Sequence, residues 1–240
     1  MFKSMIILKD SVYVPDHDHH TKMLEELEIK DTKKNACAVF VRAELSPQGS
    51  DFFSDIDTWV FKVDQDIRPD WFVEDYEKER AKEAVKKWAA GRIYIGIDGL
   101  EISTGKGYYL KNCQNVTLSG DCELALLASS QVGTMLDSSQ VGTMLDSSQV
   151  GEMWGSSQVG TMLDSSQVGT MLDSSQVGTM WGSSTTIIAE NWSKGVNIDG
   201  IILCDNATIK DNRTKTLYQS GDWKLVVVGK EAKGDNNGNC

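Results

Sequence analysis

Apolar and polar positions follow two different patterns along the 240-residue chain. Up to about residue 97, short runs typical of strands alternate with stretches typical of helices. The run SMIILK and the segments CAVFVRAEL and DTWVFKVDQ have the alternation and β-branched content of strands, whereas residues 20–29 place their apolar side chains on one helical face. After residue 97 the helix signals stop, and Gly, Ser, Asn and Asp separate short strand-like runs.

The clearest helix is predicted directly after Pro69. Asp70 suits the N-cap, Glu74 and Asp75 would lie in the first turn, and Gly91 suits the end of the helix. The segment RIYIGI, residues 92–97, then predicts a strand. Residues 1–97 are therefore predicted to form a small α/β capping domain.

Nine residues, SSQVGTMLD, are written six times in tandem over residues 129–182, with changes only at the Thr/Glu, Leu/Trp and Asp/Gly positions. Tandem identity at a short period is typical of solenoids, whose units bury their apolar side by stacking. Nine residues suit one strand and one turn. We therefore predict a mainly β protein, with a β-solenoid (β-helix or β-roll) over residues 98–228 and a disordered polar tail over residues 229–240.

The changes among the copies run LD, LD, WG, LD, LD, WG, a rhythm that recurs with every third copy. An 18-residue coil, favoured by analogy with two-sided nonapeptide rolls, places Trp154 and Trp181 on opposite faces. A 27-residue coil would stack them, and either coil places some aspartates above one another. A gene duplication that spans three copies would produce the same rhythm without a structural cause.

The third copy indicates which side chains point outward. Glu152 replaces threonine there, and an unpaired carboxylate in a narrow core would cost several kcal/mol. A bulge at Gly133 would let Val132 and Met135 both face inward. The Leu/Trp position would then be external, and we predict that its row is the partner-binding surface: Leu136, Leu145, Trp154, Leu163, Leu172 and Trp181. Strict alternation, with these side chains in the core, remains the alternative.

The chain is acidic, with a formal net charge of −11. The repeat region contains no Lys or Arg, and its carboxylates predict an acidic face: Asp137, Asp146, Glu152, Asp164 and Asp173. Such a face could imitate a polyanion, although surface charge that keeps an array soluble explains it equally simply. Direct nucleic-acid binding is disfavoured, because phosphate recognition requires a basic surface.

Composition points to a soluble, cytoplasmic protein. No apolar run approaches the roughly 18 residues of a membrane span, and the amino-terminal segment lacks a signal-peptide pattern. The five cysteines are widely scattered, without metal-binding spacing, which favours reduced thiols.

Motifs for catalysis or cofactor binding are weak, and we predict no catalytic, cofactor-binding or metal-binding residue. His17, His19 and His20 lie in DHDHH, where a polar loop is favoured over a metal site because adjacent histidines cannot easily face one ion. The segment STGKG departs from the phosphate-loop spacing, and the calcium pattern GGxGxD is absent.

Four segments around the repeats carry a resemblance to a group of proteins. HTKMLEELEIKDT, VDQDIRPDWF, DGLEISTGKGYYLKNCQNVTL and DNATIKDNRTKTLYQSGDWKLVVV resemble parts of uncharacterised phage- and prophage-type tandem-repeat solenoid proteins of gut-associated bacteria. The resemblance covers most of the chain and implies a β-solenoid between fixed ends. It implies no activity, cofactor or catalytic residue.

These observations predict a non-enzymatic interaction or structural protein that displays ladders of side chains to a protein partner or to further copies in a homo-oligomer. Phage association would place it in the host cytoplasm. Three alternatives remain: an acidic inhibitor that mimics a polyanion against host defence, an ice-binding solenoid with a Thr ladder, and a solenoid that acts on polysaccharides.

Overall fold

The computed structural model describes residues 2–49, 51–198 and 201–219, together with the backbone of residues 226–227. The chain divides into two compact units, Met1–Ile93 and Tyr94–Cys240. The tail predicted at residues 229–240 lies outside the described residues. No helix in the described ranges combines the length and the apolar character that crossing a membrane requires.

The first unit is built on a four-stranded antiparallel sheet with the order β2-β1-β3-β4. Residues on both faces of β1 are buried. The strands are β1 (Lys3–Leu8), β2 (Val12–Tyr13), β3 (Phe40–Ser46) and β4 (Val60–Val63). The helices are α1 (His20–Glu26), α2 (Lys33–Ala36) and α3 (Glu74–Ala89), with a 3₁₀ turn at Ile56–Thr58.

Helix α3 begins later than the sequence predicts. The Phe72 N–H donates to the Pro69 carbonyl at 3.0 Å, so a turn occupies the residues after the proline. The N-cap is Val73, which makes no side-chain capping bond, and the prediction of Asp70 as the cap is wrong. Charge at both helix ends follows the macrodipole, because Glu74 and Asp75 lie in the first turn and two lysines lie in the last.

The second unit contains two long sheets of mainly parallel strands. Sheet 1 has the order β20-β19-β18-β16-β14-β12-β10-β8-β6, and sheet 2 has the order β17-β15-β13-β11-β9-β7-β5. Before the repeats come β5 (Ile93–Ile95), β6 (Glu101–Ile102), β7 (Lys106–Lys111), β8 (Val116–Leu118) and β9 (Glu123–Ala128). The repeats form β10 (Gln131–Met135), β11 (Gln140–Leu145), β12 (Gln149–Met153), β13 (Gln158–Met162), β14 (Gln167–Met171) and β15 (Gln176–Met180). After them come β16 (Thr185–Ile188), β17 (Ile202–Leu203), β18 (Thr208–Asp211), β19 (Thr216–Gln219) and β20 (Val226–Val227).

Consecutive repeat strands alternate between the two sheets, so one coil contains two copies of the repeat. Gln131 pairs with Gln149, and Gln140 pairs with Gln158, each partner lying two copies further along the chain. The predicted β-solenoid is confirmed, and of the two coils considered it has the 18-residue one. The change at every third copy therefore does not reflect the length of a coil.

The solenoid interior is lined by the valine and methionine of every copy. Val132 and Met135 are both buried although two residues separate them, because Gly133 and Thr134 lie outside the core. The inward direction predicted for this pair is confirmed. Leu110, Leu118 and Leu124 continue the same core into the coils before the repeats.

The Asp/Gly position forms the corner of each turn, and all its residues have a positive φ: Asp137, Asp146, Gly155, Asp164, Asp173 and Gly182. Aspartate and glycine tolerate this left-handed conformation better than most residues. An aspartate at a corner also bonds to the coil before it. For example, Asp173 Oδ2 accepts the Gly155 N–H at 3.0 Å, and Asp137 Oδ2 accepts the Gly120 N–H at 3.0 Å.

The order of the copies limits stacking of like charges at these corners. After sheet 1 the corner column runs Gly120, Asp137, Gly155 and Asp173, so no two aspartates are neighbours. After sheet 2 only Asp146 and Asp164 are adjacent, and the Asp146 N–H donates to Asp164 Oδ2 at 3.2 Å. In the 18-residue coil, most corner aspartates therefore have no aspartate directly above or below them, which limits the charge repulsion expected from the sequence.

The second serine of every copy is buried inside the solenoid, which the sequence analysis missed. The hydroxyls of Ser139, Ser148, Ser157 and Ser166 have no hydrogen-bond partner among the described residues. Ser130 differs, because its Oγ accepts the Cys113 N–H and donates to the Ala128 carbonyl, each at 2.9 Å. A small side chain is therefore required at this position, but a hydroxyl is bonded in only some coils.

Replacing Ser148 by alanine is expected to leave stability unchanged or to raise it by up to about 1 kcal/mol, because an unpaired hydroxyl leaves the core. Ser130→Ala, in the same interior column, is the matched control. It should lower stability by about 1–3 kcal/mol, since the Cys113 N–H loses its acceptor. Urea unfolding followed by circular dichroism measures both variants, and an equal loss in the two would contradict the assignment of the bonds.

An antiparallel hairpin, β18–β19, follows the parallel strands of sheet 1, and β20 pairs with its outer strand. Arg213 forms an ion pair with buried Asp211 at 2.9 Å and donates to the carbonyls of Ser193 and Val196. Burial raises the pKa of Asp211, but the hydrogen bonds from Arg213 outweigh it and hold that pKa below its usual value. One charged pair thus fastens the segment after β16 to the terminal hairpin.

Candidate interaction surfaces of the solenoid

The 18-residue coil divides the Leu/Trp row of the sequence into two columns outside the Val/Met core. The sheet 1 column contains Leu136, Trp154 and Leu172, and the sheet 2 column contains Leu145, Leu163 and Trp181. Backbone bonds set each column, since the Trp154 N–H donates to the Met135 carbonyl of the preceding coil at 2.9 Å. The structure therefore brings the six predicted residues together in two groups of three.

The sheet 1 column is partly engaged within its own fold. Trp154 is half-buried, and its Nε1 donates to Glu152 Oε2 at 2.9 Å. Leu172 is only 6% exposed. The segment after β16 runs beside that end of the column, because the Asp173 N–H donates to the Trp192 carbonyl. The end of this column at Leu172 is therefore covered by the protein's own chain.

The sheet 2 column ends on a more open surface. Trp181 is 44% exposed, although Leu145 and Leu163 below it are half-buried. Ile202 on the neighbouring strand β17 is 60% exposed and pairs with Thr179. Both Trp181 and Ile202 lie on the outer side of sheet 2, since Met180 between Thr179 and Trp181 faces the core. Large exposed apolar side chains on one outer face make that face a candidate binding surface.

The acidic residues of the repeats do not share one face. Asp137 and Asp173 lie at the corner after sheet 1, Asp146 and Asp164 at the corner after sheet 2, and Glu152 on the outer side of sheet 1. Glu152 is exposed, as predicted from the replacement of threonine by glutamate at this position. The corner carboxylates of Asp137, Asp164 and Asp173 also accept backbone N–H groups, which gives them a structural role.

Polar ladders cover the rest of both outer faces. The glutamines of alternate copies pair side by side, as Gln149 does with Gln167, and they are exposed. Next to them Thr143, Thr161 and Thr179 form a column on sheet 2. The exposed glutamine ladders were not predicted, although the identity of this residue in all six copies was the available signal.

The three histidines have separate environments. His17 Nε2 lies 3.0 Å from Glu26 Oε2, and His20 Nδ1 lies 3.3 Å from Asp64 Oδ2. The part of the chain that the structure describes has one group of three side chains with metal-ligand geometry, and it contains only His20 from the DHDHH segment, with Glu44 and Asp64. Sequence reasoning missed this group because its members are far apart in the chain.

Four cysteines can be placed. Cys113 and Cys122 are buried in the solenoid, Cys37 is exposed, and all three are free thiols, as is Cys204. Burial raises the pKa of the Cys122 thiol, so this side chain favours its neutral form. Cys240 lies outside the described residues.

Comparison of the chain with protein-family models, with curated proteins and with solved structures finds no match.

Proposed function

We propose that the chain is a non-enzymatic scaffold that binds a protein partner through the outer Leu/Trp columns of its solenoid. The observation that carries this proposal is the position of these side chains, which lie outside the Val/Met core in straight columns. Successive members of a column are about 4.8 Å apart, the spacing of neighbouring strands. A partner with matching spacing would engage several equivalent side chains at once.

The rigidity of the scaffold supports this proposal. Each repeat strand pairs with a strand on either side, and the bonds continue through the corners, where the Ser156 N–H donates to the Asp137 carbonyl at 2.7 Å. Side chains on such a framework are ordered before binding, which lowers the entropic cost of association. The number of copies then sets the length of the binding surface.

Trp181 is the strongest candidate for an anchor. It is the most exposed of the six Leu/Trp side chains, and Ile202 is exposed on the same outer face. Tryptophan is enriched among the residues that contribute most to binding at protein interfaces. We therefore infer that the sheet 2 column contacts the partner first. The phage association and the cytoplasmic location remain predictions.

Trp181→Ala is expected to weaken partner binding about tenfold or more, because an anchoring tryptophan at an interface commonly contributes at least about 2 kcal/mol. Trp154→Ala is the matched control, since it makes the same change at the same repeat position on sheet 1. Quantitative affinity capture from the source cells, followed by titration of the captured protein, compares the variants with the wild type. Sedimentation velocity of the wild type and both variants tests whether the partner is a second copy of the chain.

Equal binding by the wild type and Trp181→Ala would contradict the proposed surface. A loss of partner binding only in Trp154→Ala would show that the binding surface lies on sheet 1. Hydrogen exchange over β15 confirms that Trp181→Ala leaves the strand intact, so a loss of binding can be separated from a loss of fold.

A further inference from the structure

Three polar side chains from distant parts of the chain meet at the edge of the sheet in the first unit. His20 is the first residue of α1, Glu44 lies in β3, and Asp64 directly follows β4. One possible ligand atom from each lies within 4.8 Å of the other two. Since Glu44 pairs with Lys62 and side chains alternate along a strand, Asp64 projects to the same face of the sheet as Glu44.

The His20 ring is held in an orientation suited to metal binding. Its Nε2 lies 3.3 Å from the Ala43 carbonyl oxygen, and its Nδ1 lies 3.3 Å from Asp64 Oδ2. A carbonyl oxygen can only accept, so Nε2 is the nitrogen that donates in this contact. Nδ1 faces the Asp64 carboxylate, where a bound cation would take the place of a proton between them. Histidine ligands in metal sites commonly donate the other ring N–H to a backbone carbonyl in this way.

The Glu44 carboxylate is not engaged by a neighbouring side chain among the described residues. The half-buried side chain makes no hydrogen bond and no ion pair with any described residue. Arg42, two residues before it on the same face, is engaged by Asp31 at 2.6 Å. Two carboxylates therefore lie beside the imidazole, and a divalent cation bound between them would offset their repulsion.

Solvent can reach the group. The Asp64 side chain is 48% exposed, whereas that of His20 is largely covered. Three protein ligands with an open side leave room for water in the remaining coordination positions, as in zinc sites with three protein ligands. The three ligand atoms could reach one ion at about 2.0–2.2 Å after small rotations of the side chains.

We propose that His20, Glu44 and Asp64 bind one divalent transition-metal ion of the zinc class, with water as the remaining ligand. One imidazole nitrogen and two carboxylate oxygens form a donor set that suits borderline cations better than calcium, which takes six to eight oxygens. His17 is not part of the site, because its ring lies against Glu26. The site belongs to the first unit and does not depend on the function proposed for the solenoid.

Isothermal titration of the chelator-treated full chain with Zn²⁺ tests the proposal. We expect one saturable ion per chain, and we expect Glu44→Gln to weaken its binding at least tenfold, because a direct ligand is lost. Since the Glu44 side chain makes no hydrogen bond or ion pair with the described residues, the variant should keep the unfolding midpoint of the wild type in the absence of zinc. His20→Ala should also abolish the saturable binding.

Two controls separate the site from unspecific binding. Asp66→Asn removes the same charge two residues from Asp64 and should leave zinc binding within about twofold of the wild type. His17→Ala tests the DHDHH segment as an unspecific chelator and should also have no effect. No saturable binding, binding that Glu44→Gln leaves intact, or binding that only His17→Ala removes would each overturn the proposal.

Discussion

Gly160→Ala is expected to lower the stability of the solenoid by about 1–3 kcal/mol, the usual range for overpacking a well-ordered site. A Cβ on Gly160 would lie 2.6 Å from the carbonyl oxygen of Gly142 in the preceding coil, well inside van der Waals contact. Strands β11 and β13 are bonded to one another on either side of this point. The contact can therefore be relieved only by separating the two coils.

Gly133→Ala is the matched control for this prediction. Gly133 holds the same position in the first copy, but a Cβ there would lie 3.7 Å from the Val116 carbonyl oxygen, an ordinary contact. This variant should change stability by less than about 0.5 kcal/mol. Hydrogen exchange of peptides that span β10 and β13 compares the two sites directly. Equal losses would show that the glycine is needed for local backbone conformation and not for close stacking.

Met162→Glu is expected to cost about 3–5 kcal/mol and to open the central coils, because it leaves an unpaired carboxylate in the core. Met162 is fully buried among the valines and methionines of the neighbouring coils. Burial favours the neutral acid, so the folded state would raise the pKa of the new side chain. The loss of stability should therefore be smallest near pH 4 and should increase as the pH rises.

Thr161→Glu places the same carboxylate one residue earlier, where the side chain lies outside the core. Glu152 already occupies this repeat position in another copy, so the variant should stay within about 0.5 kcal/mol of the wild type. Thermal unfolding at pH 4 and pH 7 followed by circular dichroism measures both changes. A similar loss in the two variants would show that the inward and outward assignment of these strands is wrong.

The repeat chemistry explains why the main architecture could be predicted. Nine-residue identity requires equivalent stacked units, and a carboxylate at Glu152 is compatible with only one side of a strand. From these two facts follow the solenoid, the inward Val132 and Met135, and the outward threonine position, all of which the structure contains. In the first unit the structure contains the predicted strands. The predicted N-cap at Asp70 is wrong, because the residues after Pro69 form a turn and α3 begins only after Val73.

Other features depend on which coils become neighbours, and this information is not local. The buried serines, the alternation of Asp and Gly at the sheet 1 corner and the close approach of Gly160 to Gly142 follow from the 18-residue coil. The six Leu/Trp side chains have the same repeat position, yet Leu172 is covered and Trp181 is open. That difference arises from segments after the repeats, which pack against one column and leave the other accessible.

The amino-acid pattern was sufficient for the repeating unit, its strand and its inward side chains, because each of these depends on interactions within a few residues or on strict periodicity. Only the tertiary structure decided that two copies close one coil, that the Leu/Trp row divides into two columns, and that His20, Glu44 and Asp64 meet. Closing a coil and bringing distant strands together are decided by the balance of packing and backbone bonds over the whole unit. No short stretch of sequence contains that balance.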